Sequence, residues 1–117
     1  MNRDLFFFAI AAFLLGFVLF RRFAGKVAPE QAKKLVDGGA KLVDVRTSAE
    51  HAAGHIPGSV HIPLGELADR TGELGDKGAP VVVYCASGMR SATATGILKR
   101  AGFTEVHDLG GMGRWRG

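Results

Sequence analysis

The sequence predicts an α/β domain, a small parallel sheet flanked by helices on both faces, preceded by one transmembrane helix. Three observations carry that prediction. Leu5 to Phe20 is a run of sixteen apolar or small residues, apolar all the way round where a soluble helix needs only one apolar face. From Lys26 onward, short apolar runs at Leu42 to Val45, Ser59 to Ile62, Val81 to Tyr84 and Glu105 to Leu109 alternate with helical stretches, the pattern of a parallel layered sheet. One of those runs ends in the chain's single cysteine, on a small polar loop that leads into a helix. Open α/β sheets bind ligands at such strand ends. The 117 residues allow one modest domain, with 1–25 as anchor and juncture and 26–117 as the domain.

As a helix, Leu5 to Phe20 spans about 24 Å, short of the ~30 Å hydrocarbon core. Snorkelling by Arg21 and Arg22, with local thinning of the bilayer, covers the difference. Arg21, Arg22 and Lys26 follow the run, and only Arg3, beside Asp4, precedes it. The positive-inside rule then makes this a single-pass protein with its domain in the cytoplasm. The competing reading is a signal peptide cleaved on secretion, for which Leu19-Phe20-Arg21-Arg22 is a poor cleavage site. Ala12 and Gly16 stand at small-xxx-small spacing for helix packing, or fall there by composition alone.

After a short juncture, Ala28-Pro29-Glu30 starts a helix with proline at its first position and an acid in its first turn. Ala32, Leu35 and Val36 form its buried stripe, and Gly38-Gly39 ends it. Leu42 to Val45 is a strand. Thr47 or Ser48 caps a short helix through Ala53, with Glu50 in its first turn. His55-Ile56-Pro57-Gly58 is a turn and Ser59 to Ile62 a short strand. Leu64 to Asp69 makes one or two helical turns, and Thr71 to Ala79, with three glycines, a loop. Pro80 precedes the strand Val81 to Tyr84, three of whose residues are β-branched and one aromatic. A helix runs from Ser91, with Ile97, Leu98 and Ala101 at helical spacing, and stops at Gly102. Glu105 to Leu109 is the last strand, after which Gly110-Gly111 turns the chain toward Trp115.

Cys85 therefore sits between a strand and a helix N-terminus, followed by Ala86, Ser87, Gly88, Met89, Arg90 and Ser91. A loop wrapped into a helix start aims several backbone N–H groups at one spot and adds the positive end of the helix dipole. Such a cradle stabilises a thiolate, the reactive form of cysteine. It serves equally a persulfide, whose charge lies one atom further out. Arg90 adds a fixed cation, and Ser87 and Ser91 add hydroxyl donors. The same cysteine also fits the role of a small buried hydrophobe.

The segment resembles the active-site loop of rhodanese domains, the sulfurtransferase family, which reads roughly C-x-x-G-x-R. Asp44-Val45-Arg46, Glu50, Gly54 to Ser59 (GHIPGS), and Leu109 to Gly111 with Trp115 following resemble rhodanese elements in the same order, over about Lys26 to Gly117. The resemblance implies sulfur transfer from thiosulfate or a persulfide donor to a thiol or protein acceptor through a Cys85 persulfide. It implies no metal and no organic cofactor. It places Asp44 and Arg46 beside the active loop, either as electrostatic support or as a structural salt bridge, with Glu50 a candidate partner for Arg46. His51 stands where the family usually carries an aromatic residue. His55 and His61 flank a Pro-Gly turn and read as structural hydrogen-bonding groups, not metal ligands. Trp115 reads as core, although the resemblance puts that segment near the site entrance. The chain stops just past Trp115, earlier than rhodanese domains usually do, so the last turn is expected to be truncated or loose.

Charge and cysteine count narrow the rest. The net charge of +4 falls to +2 when Arg3, Asp4, Arg21 and Arg22 are set aside, which is no nucleic-acid footprint. One cysteine excludes an internal disulfide and any CxxC metal site, and a free thiol suits a reducing compartment. Two other functions stay open. A cysteine phosphatase or arsenate reductase of related fold would use Cys-x5-Arg, whereas only four residues separate Cys85 from Arg90. A membrane-tethered binding or sulfur-carrier module would keep the loop without turning over substrate.

Overall fold

The computed structural model describes residues 2–23 and 25–117. Among them, four parallel strands form one sheet. An N-terminal helix α1 (Arg3–Phe23) comes first. The domain follows with α2 (Pro29–Asp37), β1 (Lys41–Asp44), α3 (Ser48–Ala53), β2 (Val60–His61), α4 (Leu64–Leu67), β3 (Val81–Cys85), α5 (Met89–Arg100) and β4 (Val106–Gly111). The strand order is β2-β1-β3-β4. The chain steps outward from β1 to β2, then returns across β1 to lay down β3. The carboxyl ends of β1 and β3 thus flank the point where the winding reverses, the place where such sheets form a binding crevice.

The central strand shows why the sheet is layered. All five residues of β3 are buried, and alternate side chains face opposite layers. Val81, Val83 and Cys85 join a core with Val43, Val45, Ile62, Leu67, Leu74, Ala94, Leu98 and Phe103. Val82 and Tyr84 join a second core with Ala32, Leu42, Ile56 and Leu109 under α2. A fully buried valine is worth roughly 1.5–3 kcal/mol, so three in one strand hold the sheet against both layers. Trp115 packs, partly buried, against the second core.

Several boundaries differ from expectation. The stretch Thr71–Leu74 forms a 3-10 turn that drives Leu74 into the core, because a buried leucine outweighs the glycines around it. Helix α5 begins at Met89, with Gly88 as its N-cap at φ +108°, two residues before Ser91. Gly110 and Gly111 do not leave the sheet. The register of β4 against β3 shifts between Val83 and Tyr84, so that Tyr84 faces Gly110 and Cys85 faces Gly111. This bulge uses Gly110 at φ +89°, a conformation that costs other residues steric strain. The chain turns instead at Met112–Arg114. That last turn is packed, not loose: the Arg114 guanidinium donates to the Leu109 carbonyl at 2.6 Å.

Helix α1 extends beyond the apolar run at both ends, and every described side chain from 2 to 18 is exposed. Phe8 and Phe13 are each 73% exposed, so the domain does not cover this apolar surface. The expected transmembrane helix is not shown, since among the described residues no helix is long and apolar enough to cross a membrane. The apolar run is bounded by Asp4 and Arg21, which leaves it shorter than the hydrocarbon thickness.

Candidate active site

Cys85 is the last residue of β3 and is fully buried. Its Sγ accepts a hydrogen bond from the Gly88 N–H at 2.9 Å. Gly88 reaches that geometry at positive φ. Its carbonyl takes three donors: Lys26 Nζ at 3.1 Å, Ser91 Oγ at 3.1 Å and the Ala92 N–H at 3.3 Å. Ser91 therefore ties the loop together rather than donating to sulfur. Ala86 and Ser87 are exposed, and Met89, 81% exposed, stands at the lip.

Arg90 lies in the first turn of α5 and forms a bidentate pair with Glu50 of α3, at 2.7 and 2.9 Å. Glu50 also closes a capping box with Thr47. The Arg90 guanidinium, with help from the Thr47 backbone, holds the Glu50 carboxyl down at about 2. Glu50 in turn raises Arg90, with a smaller contribution from Cys85. The anticipated Arg46–Glu50 bridge does not form. Arg46 turns back onto Asp44, with Nη2 at 2.8 Å and Nε at 3.0 Å from its oxygens, because β1 ends at Asp44 and the following bend brings the two side chains together.

Asp44 is the hub beneath the loop. It is fully buried and also accepts from the Arg46 N–H at 2.9 Å, Tyr84 Oη at 3.1 Å and His51 Nδ1 at 2.8 Å. Burial alone raises such a carboxyl, but the Arg46 and His51 hydrogen bonds prevail and hold it at about 2, below the ordinary 3.8. The Tyr84 hydroxyl further receives the Ile56 N–H at 3.1 Å and meets Ser59 Oγ at 3.0 Å. Burial pushes this phenol up. His51 stacks between His55 and His61 at ring separations of 3.7 and 4.4 Å. It packs there as a flat ring between the two others. Among the described residues, no three His, Cys, Asp or Glu side chains are grouped to hold a metal ion.

Three contacts are not evident from the sequence. Lys26, in the juncture, pairs with Asp108 at 2.6 Å and reaches the active loop from there. Gly111 runs so close to the loop that a Cβ there would stand 2.7 Å from the Ala86 carbonyl oxygen. Glu50 belongs to Arg90, forty residues away. The paired glycines carry a local signal that points equally to a turn, and Glu50 carries one that points to a helix start and to Arg46 as its partner.

Residues 28–117 match the family model of the rhodanese-like domain. The chain is similar to the thiosulfate sulfurtransferase GlpE of Pseudomonas aeruginosa, with 41% identity over 92 residues that cover 78% of this chain and 83% of that protein. It is similar in structure to the human single-domain sulfurtransferase TSTD1, with 31% identity, a TM-score of 0.63, and 73% of this chain and 88% of that one covered. A rhodanese with anions from E. coli aligns with a TM-score of 0.62 and 34% identity, covering 65% of this chain and 91% of that one. With a matching model over most of its length and relatives near 40% identity, the chain belongs to the rhodanese-like domain family as a rhodanese-type sulfurtransferase.

Proposed function

We propose that the chain moves sulfane sulfur from thiosulfate or a persulfide to a thiophilic acceptor by way of a Cys85 persulfide, at a membrane surface to which α1 tethers it. The observation that carries the chemistry is the Gly88 N–H on Cys85 Sγ, at the start of α5, where backbone donors and the helix dipole favour an anion. The Cys85 thiolate attacks the outer sulfur of thiosulfate. A Cys85–S bond forms, the S–S bond of the donor breaks, and sulfite leaves with the electron pair. An acceptor nucleophile, cyanide in an assay or a thiol, then takes the outer sulfur and returns the thiolate. Two half-reactions through a covalent intermediate give ping-pong kinetics. Sulfite leaves as a stable anion, so no general acid is required. Arg90 neutralises the approaching donor in competition with Glu50, a charge-assisted contact.

The test is intact mass after incubation with thiosulfate. The wild-type protein gains one sulfur atom and produces thiocyanate with cyanide, whereas Cys85→Ser does neither. Thiocyanate formation by the variant near the wild-type rate, or phosphate release from an aryl phosphate with no sulfur gain, overturns the assignment.

The tether rests on the exposed apolar surface of α1 and on the basic residues that follow its apolar run. For a helix lying on the bilayer rather than across it, Arg21, Arg22 and Lys26 favour the anionic cytoplasmic leaflet, which would keep the domain in the cytoplasm. Alkaline carbonate should leave the full chain in the membrane pellet, and an impermeant maleimide should label Cys85 only in opened cells, with a denatured control. A soluble, shortened product, or labelling in intact spheroplasts, makes it a secreted sulfurtransferase.

A further inference from the structure

We infer that Lys26, in the juncture after α1, is a positioning residue for the Cys85 anion, acting through Gly88 and held in place by Asp108. The inference rests on Cys85 being the reacting group. The Lys26 ammonium is nearly buried, with a side-chain exposure of 9%, and so is Asp108 at 6%. A buried ion pair is costly to assemble and is weak evidence for stability by itself. This one has a second contact that stability does not require. From its 2.6 Å pair with Asp108, the ammonium also donates to the Gly88 carbonyl at 3.1 Å.

Gly88 stands between two peptide groups with opposite tasks. Its N–H holds Cys85 Sγ at 2.9 Å, while its carbonyl accepts from Lys26. At φ +108° no Cβ biases the backbone, and Lys26 joins Ser91 Oγ and the Ala92 N–H in fixing the Gly88 carbonyl, and with it the peptide that carries the Met89 N–H. The lysine also polarises that peptide, and the first N–H of a helix has no acceptor within it. The strengthened donor is thereby available to a charge one atom beyond Sγ.

Asp108 fixes the lysine from both sides. Its other oxygen accepts the Gly110 N–H at 2.8 Å, which ties it to the bulge. Its carbonyl accepts the Val27 N–H at 2.8 Å, in a one-residue parallel bridge of Lys26 to Asp108 along the edge of β4. The segment directly after the apolar helix is thus an extra rung of the sheet, and its side chain ends on the sulfur-holding loop.

The experiment uses the full chain in a mild detergent and reads alkylation of Cys85 by iodoacetamide across pH. Alkylation requires a thiolate but no sulfur donor, so it answers separately from the sulfur-transfer reading, which the wild-type mass gain decides. Lys26→Met should alkylate about tenfold more slowly at pH 7, through loss of the cation on the Gly88 carbonyl. Its pH profile should move upward by about one unit and meet the wild-type rate at high pH. Lys26→Arg should recover to within about threefold, and Asp108→Asn should behave as Lys26→Met does. If Lys26→Met does not fold, Lys26→Gln, which keeps a neutral donor, is read by the same profile. An unshifted profile in a folded variant, or an equal slowing at every pH, overturns the inference.

Discussion

Replacing Asp44 by asparagine keeps the shape of the side chain and removes its charge, at a site that no water reaches. The carboxylate receives Arg46 through its backbone N–H, Nε and Nη2, His51 through Nδ1, and Tyr84 through its hydroxyl. An asparagine offers one oxygen and turns an N–H2 group toward the remaining donors. The Arg46 side chain, only 6% exposed, is then a buried charge without a counterion, which costs roughly 3–5 kcal/mol. The carboxyl's own titration gives an independent figure. It sits at about 2 when folded against an ordinary 3.8, so its ionisation contributes roughly 2–3 kcal/mol at neutral pH. Because the folded value is the lower one, that contribution is complete above pH 3.8 and is lost as the pH falls through about 2. Urea unfolding of the full chain in detergent, followed by Trp115 fluorescence and far-UV circular dichroism, measures both. At pH 7 the variant should be less stable by roughly 3–5 kcal/mol, and by pH 3 the gap should have begun to close. Glu50 also titrates near 2, but it does so in both proteins and cancels from the difference. A gap below about 1 kcal/mol at pH 7, or one that ignores pH, refutes the hub described for Asp44.

Three further outcomes follow from the same geometry. Tyr84→Phe strands the buried Ile56 N–H and should lower stability by about 1–3 kcal/mol in urea titrations, with sulfur transfer little changed; an unchanged midpoint counts against that bond. Gly111→Ala sets a Cβ against the Ala86 carbonyl and should cost roughly 1–3 kcal/mol of overpacking while slowing sulfur loading by mass; full loading speed would show that the loop yields freely. Arg90→Ala should lower kcat/KM for thiosulfate about 10- to 100-fold, within the range of one charge-assisted contact, and steady-state thiocyanate assays with an unchanged value would show that Glu50 alone occupies the guanidinium.

What the sequence alone determined is what short-range sterics and periodicity encode. The β-branched run Val81 to Val83 dictates a buried strand, Thr47 and Glu50 three residues apart dictate a cap, and Cys85 with Gly88 dictates a thiol on a tight loop at a helix start. The run of alternating strands and helices settles a parallel sheet. The ordered motifs then point to a sulfurtransferase, and the matching relatives bear that out. The partners of the charges were decided only in three dimensions. Arg46 is two residues from Asp44 and four from Glu50, and both are local choices; the bend after β1 selects the first. Glu50 is then left to Arg90, forty residues on, and Lys26 reaches Asp108 across eighty-two. No periodicity records such distances, because they depend on strand order and on the bulge that sets Gly110 opposite Tyr84. The same register brings Gly111 against Ala86, so that two glycines legible as a turn serve as a close contact under the active loop. Local pattern placed the nucleophile, and the packing of β1, β3 and β4 placed the charges that support it.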